Sequence, residues 1–345
     1  MSLADFIDQM PKVELHVHLE GSIQPETLLK LAHRNHVTLP ADTVDGLRAW
    51  YKFTNFAHFI EVYSLISSCV RTPDDIELIT REFLAGQAAQ HILFSEVTYT
   101  AYTLYNVNGI PFHEQMEAVN RARAWAAAQF GTRMTLTIDI PRQIPAKEGP
   151  MIAEWAISAM GNGVSAFGLG GPEIGNPPEK FRDAFEQAFA AGLPCVPHAG
   201  ETVGPDSIWG ALRHLHACRI GHGVRCLEDP QLVRELRRRQ IPLEVCPTSN
   251  IALKVYADMA HHPLARLLSE GLYVTLNSDD PPMFNTTLTN EYRIAAQTFS
   301  LSAGDLEKLD LNALRAAFLP PEQKVALEAD FQAQFTSLRQ RNLDL

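Results

Sequence analysis

Eight short apolar runs, each followed by a segment of helical character, recur along the chain. The runs have the length of β-strands and span residues 12–19, 93–98, 133–140, 164–169, 193–198, 217–220, 241–246 and 272–276. Strands that alternate with helices in this way indicate a parallel sheet, because each helix returns the chain to the edge where the next strand starts. This repeating order constrains the fold more than any other feature of the sequence.

The number of strand–helix units predicts an α/β fold, a closed (β/α)8 barrel of the TIM type. Such barrels typically take ~250 residues plus insertions, and this chain has 345. We place the surplus in a helical, lid-like insertion over residues 26–92 and in a helical C-terminal tail over residues 286–345, within one domain that spans 1–345. A doubly wound open sheet is the alternative, but no G-x-G-x-x-G segment follows the first strand.

Charge and cysteine content narrow the class of protein. The chain has 40 acidic and 29 basic residues, for a formal net charge of -11, whereas a nucleic-acid-binding protein normally presents a basic face. No run approaches the ~18 apolar residues that a membrane span needs. The five cysteines form no C-x-x-C pair, which favours buried free thiols in a reducing compartment. We therefore expect a cytoplasmic protein that binds neither nucleic acid nor a membrane, with its oligomeric state left open.

Polar side chains collect where the predicted strands end. They are His16 and His18 in the first strand, His198 and Glu201 at the fifth, His222 after the sixth, and Asp279 and Asp280 after the eighth. Each has an ordinary explanation when taken alone, such as a turn or a helix start. The carboxyl ends of barrel strands meet at one mouth, however, and barrel enzymes place their chemistry there. The joint pattern therefore predicts one site.

Three histidines and one aspartate form a nitrogen and oxygen ligand set that suits Zn²⁺. The ligand candidates are His16, His18, His198 and Asp279. Such an ion lowers the pKa of a bound water toward ~7. Glu201 would then move protons, His222 would orient the water and Asp280 would hydrogen-bond the substrate.

A binuclear metal site is an alternative in such a barrel. Binuclear hydrolases commonly use a carboxylated lysine at the end of the fourth strand. The corresponding segment here, FGLGGPE, contains no lysine. One metal ion per chain is therefore expected.

Six segments between residues 11 and 284 carry a family resemblance. They are PKVELHVHLEGS, GLGGPE, HAGET, RIGHG, EVCPTSN and NSDDPPMF. In this order they resemble the adenosine deaminase family of zinc aminohydrolases, which implies hydrolysis of the 6-amino group of a purine with release of ammonia. The resemblance implies that zinc is bound by His16, His18, His198 and Asp279. It implies that Glu201 protonates purine N1 and that His222 assists the attacking hydroxide. The implied substrate contacts are Asp280 with N7, the Gly171 N–H with N3, and Glu20 with the 5′ side of the sugar.

Two departures from the family pattern concern the substrate. Pro172 stands where adenosine deaminases usually have aspartate, and Thr98 stands where better-known members have arginine. The GGPE, HAGET and CPTSN segments together resemble the branch that includes aminodeoxyfutalosine deaminases of menaquinone synthesis. We expect a small purine nucleoside of the adenosine type, with 6-amino-6-deoxyfutalosine or free adenine as alternatives. A barrel that binds purines without catalysis is an alternative of a different class.

Aromatic residues are expected over the barrel mouth. They are Phe53, Phe56, Phe59 and Tyr63 in the insertion, and Tyr99, Tyr102 and Tyr105 in a predicted loop after the second strand. If a few of them line the pocket, they favour an apolar extension beyond the ribose. Arg142, just after the third strand, is the nearest candidate for binding a carboxylate on such an extension.

Overall fold

The computed structural model describes residues 2–342, as a barrel of eight parallel strands surrounded by helices. Met1 and residues 343–345, which complete the predicted domain and tail, lie outside the described residues. The strands are β1 (Lys12–His18), β2 (Ile92–Tyr99), β3 (Arg133–Pro141), β4 (Val164–Gly170), β5 (Cys195–Ala199), β6 (Ile220–His222), β7 (Leu243–Val245) and β8 (Val274–Leu276). The predicted (β/α)8 barrel is confirmed, and the open doubly wound sheet is wrong.

The strands pair in the order in which they occur in the chain. The sheet closes just after β8, where Asp279 forms a parallel bridge with Val17 of β1. The N–H of His18 donates to the carbonyl oxygen of Asp279 at 2.9 Å, and the N–H of Asp279 donates to that of His16 at 3.1 Å. Backbone hydrogen bonds therefore join the first and last strands at the carboxyl end of the barrel.

Further down the same seam, side chains replace the backbone ladder. The Asn277 side-chain oxygen accepts hydrogen bonds from the N–H groups of Leu15 at 2.9 Å and His16 at 3.1 Å. The Glu14 carboxylate accepts one from the N–H of Ser278 at 3.0 Å. Buried backbone donors need partners, so these side chains complete the closure where the strands no longer pair directly.

Seventeen α-helices occur within residues 2–342. They are α1 (Leu3–Gln9), α2 (Pro25–Arg34), α3 (Val44–Trp50), α4 (Phe56–Ser68), α5 (Pro73–Ala89), α6 (Ala101–Asn108), α7 (Phe112–Phe130), α8 (Gly149–Ser158), α9 (Arg182–Ala190), α10 (Pro205–His214), α11 (Pro230–Arg239), α12 (Pro247–Ala252), α13 (Leu264–Ser269), α14 (Pro281–Phe284), α15 (Leu288–Phe299), α16 (Ala303–Ala316) and α17 (Pro321–Asn342). Across that part of the chain, none is both long enough and apolar enough to cross a bilayer.

Two elements differ from the predictions. The tyrosine-rich segment after β2 is helix α6, which buries Ala101 and Leu104 and ends at Gly109 with φ 71°. The polar and aromatic composition of this segment led to the prediction of a loop, but the segment is a short helix that ends at a left-handed glycine. The sixth strand lies at Ile220–His222 rather than at 217–220, because Ala217 forms only an isolated bridge with Cys195.

The predicted insertion consists of α2 to α5, and its helix α4 lies over the barrel mouth. The Phe59 ring of α4 stacks on Phe284 with the ring centroids 5.6 Å apart. The Tyr63 ring meets the edge of His18 with the centroids 6.2 Å apart. Helix α4 therefore packs directly over the ends of the strands.

Replacement of Asn277 by alanine should weaken the seam. It would leave two buried N–H groups of β1 without an acceptor, and each such loss costs ~1–3 kcal/mol. Urea unfolding of the metal-free protein should show a lower midpoint at an unchanged slope. Thr275→Val is the control. The Thr275 hydroxyl accepts from the Asn277 amide at 3.1 Å and donates to the Leu243 carbonyl oxygen at 3.4 Å, so its loss leaves the Asn277 oxygen with its two β1 donors. An equal loss of stability in both variants would contradict the role given to Asn277.

Candidate active site

A cavity opens at the carboxyl ends of the strands. The polar lining includes His18, His198, Glu201, His222, Asp279 and Asp280. The side toward α4 includes Phe56, Phe59, Ile60 and Tyr63. Six of the seven predicted strand-end residues, all but His16, therefore line one cavity beneath a largely apolar lid.

Four predicted metal ligands converge at the base of this cavity. The Nε2 atoms of His18 and His198 lie 3.2 Å apart. Asp279 Oδ1 lies 3.3 Å from His18 Nε2 and 3.6 Å from His16 Nε2. His16 Nε2 is buried and has no hydrogen-bond partner among residues 2–342. Imidazole nitrogens that face one another beside a carboxylate form a donor set that a divalent cation satisfies, so these residues fit a metal ion.

Glu244 of β7 fixes the orientation of His16. His16 Nδ1 donates to Glu244 Oε2 at 2.9 Å, which leaves Nε2 directed to the other ligands. Arg219, itself buried, donates to Glu244 and to Glu96. Burial lowers the pKa of His16, but the nearby Asp279 carboxylate, and the hydrogen bond and charge of Glu244, outweigh burial and raise that pKa to about 9. The site therefore attracts positive charge.

Two of the site residues have a left-handed backbone conformation. His222 has φ 60° and Asp279 has φ 66°, a region that few residues other than glycine adopt. Such a conformation costs ~1–3 kcal/mol and persists where the surrounding structure holds it. At Asp279 the hydrogen bonds to β1 hold it. Next to His222, Gly221 makes room for the His16 ring, since a Cβ there would lie 2.8 Å from His16 Cε1.

Glu201 lies in a turn after β5 that the Glu173 carboxylate organises. Glu173 accepts hydrogen bonds from the N–H groups of Gly200, Glu201 and Thr202 at 2.9, 2.9 and 2.7 Å. These bonds hold the backbone so that the Glu201 side chain lines the cavity. Burial and the charges of Asp279 and Glu173 raise the pKa of Glu201 well above its usual range. That shift favours the protonated carboxyl group.

His222 lies between Glu201 and the predicted metal ligands. Its Nε2 atom is 3.8 Å from Glu201 Oε1 and 3.9 Å from Asp279 Oδ2. Burial and the positive charge of His16 lower the pKa of His222 to about 3, so its imidazole is neutral. A neutral imidazole at these distances can hydrogen-bond a small group placed between the three side chains.

The three predicted substrate contacts occupy different positions. Gly171 lines the cavity with φ 89°. Asp280 also lines it, and its buried Oδ1 has no hydrogen-bond partner among the described residues. Glu20 is buried and accepts hydrogen bonds from the Thr100 N–H at 3.1 Å and the Tyr63 hydroxyl at 3.3 Å. Glu20 therefore meets the cavity wall at Tyr63, which lines it.

Several residues at the site escaped the sequence analysis. Asp139 lines the cavity at the end of β3, and its Oδ1 is buried without a partner in the described structure. The signal for Asp139 was present, because it stands near the end of a strand-like run just as His198 does. Glu173 and Glu244 act through other residues, and no local pattern marks them.

The hypothesis that Arg142 binds a substrate carboxylate is wrong. Its guanidinium group donates to the carbonyl oxygens of Asn176 at 2.6 Å and His198 at 2.5 Å. The side chain is fully buried and ties the loop after β4 to the end of β5. Of the residues that the structure describes, no lysine or arginine lines the cavity. Tyr99 is likewise buried, and its hydroxyl donates to Gln115 at 2.7 Å.

Comparison with known proteins agrees with this geometry. Residues 11–333 match the sequence model of the family described as adenosine deaminase. The chain belongs to the adenosine deaminase family. It is 42% identical over 331 residues to an aminodeoxyfutalosine deaminase of Streptomyces avermitilis, covering 95% of this chain and 92% of that protein. It is 37% identical over 329 residues to an adenine deaminase of Cupriavidus necator, covering 95% and 93%.

A solved structure extends the comparison to the fold. The fold matches an amidohydrolase from Burkholderia ambifaria with bound zinc at a TM-score of 0.91, with 27% sequence identity and coverage of 98% of this chain and 94% of that one. Family membership makes the protein a metal-dependent hydrolase that acts on the C–N bond of an aminopurine. A purine-binding barrel without catalysis is thereby set aside.

Proposed function

We propose that the protein releases ammonia from the 6-amino group of a purine nucleoside, and that this nucleoside is 6-amino-6-deoxyfutalosine. The observation that carries the proposal is the union, in one cavity, of the histidine and aspartate cluster, the carboxyl group of Glu201 and an apolar wall from α4. The 42% identity to an aminodeoxyfutalosine deaminase supports the choice among nucleosides.

The proposed metal is one zinc ion per chain. Its ligands would be His16, His18, His198 and Asp279, a set of imidazoles and one carboxylate that suits zinc. When bound, the ion would supply an activated water at neutral pH. The Glu244 carboxylate supports this assignment, because it directs the Nε2 atom of His16 toward the other ligands.

The side chains around the purine would manage protons and orientation. Glu201 would donate its proton to N1, which makes C6 electrophilic, and would then carry the proton of the attacking water to the departing amino group. His222 would hold that water by a hydrogen bond. The proposed contacts that orient the ring are Gly171 N–H with N3, Asp280 with N7 and Glu20 near the 5′ side of the sugar.

The first prediction from the proposed function concerns metal content. Elemental analysis of the purified protein should give about one zinc per chain, and His16→Ala should give almost none, because a ligand is lost. His216→Ala is the matched control, since His216 pairs with Glu186 outside the cavity, at 2.7 Å, and should keep its zinc. Two metal ions per chain, or none in an active preparation, would contradict the proposed site.

A second prediction isolates the proton carrier. Glu201→Gln keeps the size of the side chain but cannot donate an acidic proton, so kcat should fall by roughly 10²-fold or more. Zinc content and substrate binding should persist. Glu228→Gln, a partly exposed carboxylate in the adjoining groove, serves as the control with normal kcat. A near-normal kcat in Glu201→Gln would remove Glu201 from the mechanism, and loss of zinc would make it a ligand.

The apolar side of the cavity supports a substrate larger than adenosine. Phe56, Phe59, Ile60 and Leu253 line it and would pack against an aryl group beyond the ribose. An aromatic pair adds ~0.5–1.5 kcal/mol beyond the area it buries. Because no basic side chain of the described chain lines the cavity, a carboxylate on that aryl group would stay at the mouth, where the exposed Lys254 follows Leu253.

Free adenine is the second candidate substrate. The 37% identity to an adenine deaminase favours it, and the proposed contacts to N1, N3 and N7 would serve the base alone. Adenine would leave the apolar wall of α4 unused.

A third prediction decides among the substrates. The ratio kcat/KM should be highest for 6-amino-6-deoxyfutalosine, lower for adenosine and lowest for adenine. Phe56→Ala should lower the ratio for the aryl-bearing nucleoside about 2- to 12-fold more than for adenosine, which is ~0.5–1.5 kcal/mol. A preference for adenine would overturn the nucleoside proposal. A preference for adenosine would reject the aryl pocket and leave the chemistry intact.

The cysteines support the proposed cytoplasmic location. All five are free thiols, and four of them are buried. A chain without disulfides suits a reducing compartment.

A further inference from the structure

A line of three hydrogen bonds leads from a backbone N–H to the imidazole of His222. The N–H of Leu264 donates to His262 Nδ1 at 3.2 Å. His262 Nε2 lies 3.1 Å from Asn250 Oδ1, and Asn250 Nδ2 lies 3.4 Å from His222 Nδ1. All three side chains are buried, so water does not compete for these bonds.

The backbone N–H fixes the direction of the whole line. Leu264 N–H can only donate, so His262 Nδ1 must accept. Burial lowers the pKa of His262 to about 3, so its ring is neutral and carries its one hydrogen on Nε2. That hydrogen is donated to Asn250 Oδ1. The Asn250 amide nitrogen then faces His222, where it donates to Nδ1.

The opposite orientation of the Asn250 amide is chemically excluded. It would turn the Asn250 nitrogen toward His262 Nε2, which would then have to accept. Both nitrogens of one neutral imidazole would be acceptors, and a neutral imidazole has one donor and one acceptor. Only one arrangement satisfies every partner, and in it His222 Nδ1 accepts and Nε2 carries the hydrogen.

We propose that Asn250 and His262 are positioning residues that hold His222 in the tautomer with hydrogen on Nε2. His222 thereby presents a hydrogen-bond donor to the cavity, toward Glu201 and Asp279. The same hydrogen keeps Nε2 from acting as a metal ligand, although His222 lies close enough to His16, Cys246 and Asp279 to join them. The effect on catalysis rests on the proposed function, whereas the tautomer itself does not.

The first experiment reads the tautomer directly. The protein contains 13 histidines, so ¹⁵N-histidine labelling gives a tractable imidazole spectrum, and loss of a signal in His222→Gln assigns His222. In the metal-free wild-type protein Nδ1 should be unprotonated and Nε2 protonated. In Asn250→Asp a carboxylate accepts from both neighbouring rings, so His222 Nδ1 should become protonated. An unprotonated Nδ1 in Asn250→Asp, or a protonated one in the wild type, would overturn the proposal.

The second experiment separates positioning from mere structure. Asn250→Asp should lower kcat ~10²–10⁴-fold with a smaller change in KM, as loss of a correctly oriented general acid–base group does. His262→Gln can still donate to Asn250 Oδ1 and should keep the wild-type tautomer and most of kcat. His262→Phe cannot donate, and it should release the Asn250 amide and give mixed tautomers.

The two readouts distinguish the possible failures. If kcat falls in His262→Phe while the His222 tautomer stays that of the wild type, the two residues are structural and the proposal fails. If His262→Gln and His262→Phe lose the tautomer equally, donation by His262 is not the cause, and the proposal fails as well. If no purine is deaminated by the wild-type protein, the proposed function fails, and the imidazole spectra still decide whether Asn250 and His262 fix His222.

Discussion

The hydrogen bonds that close the barrel also position its candidate metal ligands. The backbone of Asp279 pairs with those of both His16 and His18, so the two bonds that join the ends of the sheet fix three of the four proposed ligands. An open edge here would leave backbone donors and acceptors unpaired and would separate these side chains. The same hydrogen bonds therefore close the barrel and bring the candidate ligands together. The left-handed φ of Asp279 is stabilised by the same bonds.

The site contains many buried charged side chains. Those farther from the cavity are paired with side chains of opposite charge, in a series of contacts that leads inward to His16. Arg219 lies between Glu96 and Glu244, and Glu244 in turn holds His16. Removing one partner of such a buried cluster typically costs ~3–5 kcal/mol, because a charge is left uncompensated. The carboxylate of Asp279 has no such counter-charge from a lysine or arginine in the described contacts, and the donors around it are imidazoles. A cation bound at this position would balance the charge of the Asp279 carboxylate.

The sequence was sufficient for the barrel and for the residues at the strand ends, because both follow from short-range patterns. Alternation predicted the strands, and because barrel strands share one mouth, the polar strand ends alone were enough to group His198 with Asp279. The sequence was not sufficient to predict the residues that act through other side chains. Glu173 reaches Glu201 across 28 positions of the chain and Glu244 reaches His16 across 228, and nothing local marks such pairs. The prediction for Arg142 was wrong for the same reason, since its hydrogen-bond partners are backbone carbonyl oxygens of distant segments.

The proposed chemistry and the proposed substrate preference belong to different parts of this chain. The proposed ligands and proton carriers stand at the ends of barrel strands, while the apolar wall of the cavity belongs mainly to α4 in the insertion. Helix α4 takes no part in the hydrogen bonds that join β1 to the end of β8. It packs on the mouth through rings such as Phe59 on Phe284, so its residues can change without breaking those bonds. The two parts meet at Tyr63, whose hydroxyl donates to Glu20 directly after β1, so the orientation of the lid depends on a carboxylate that the barrel itself holds in place.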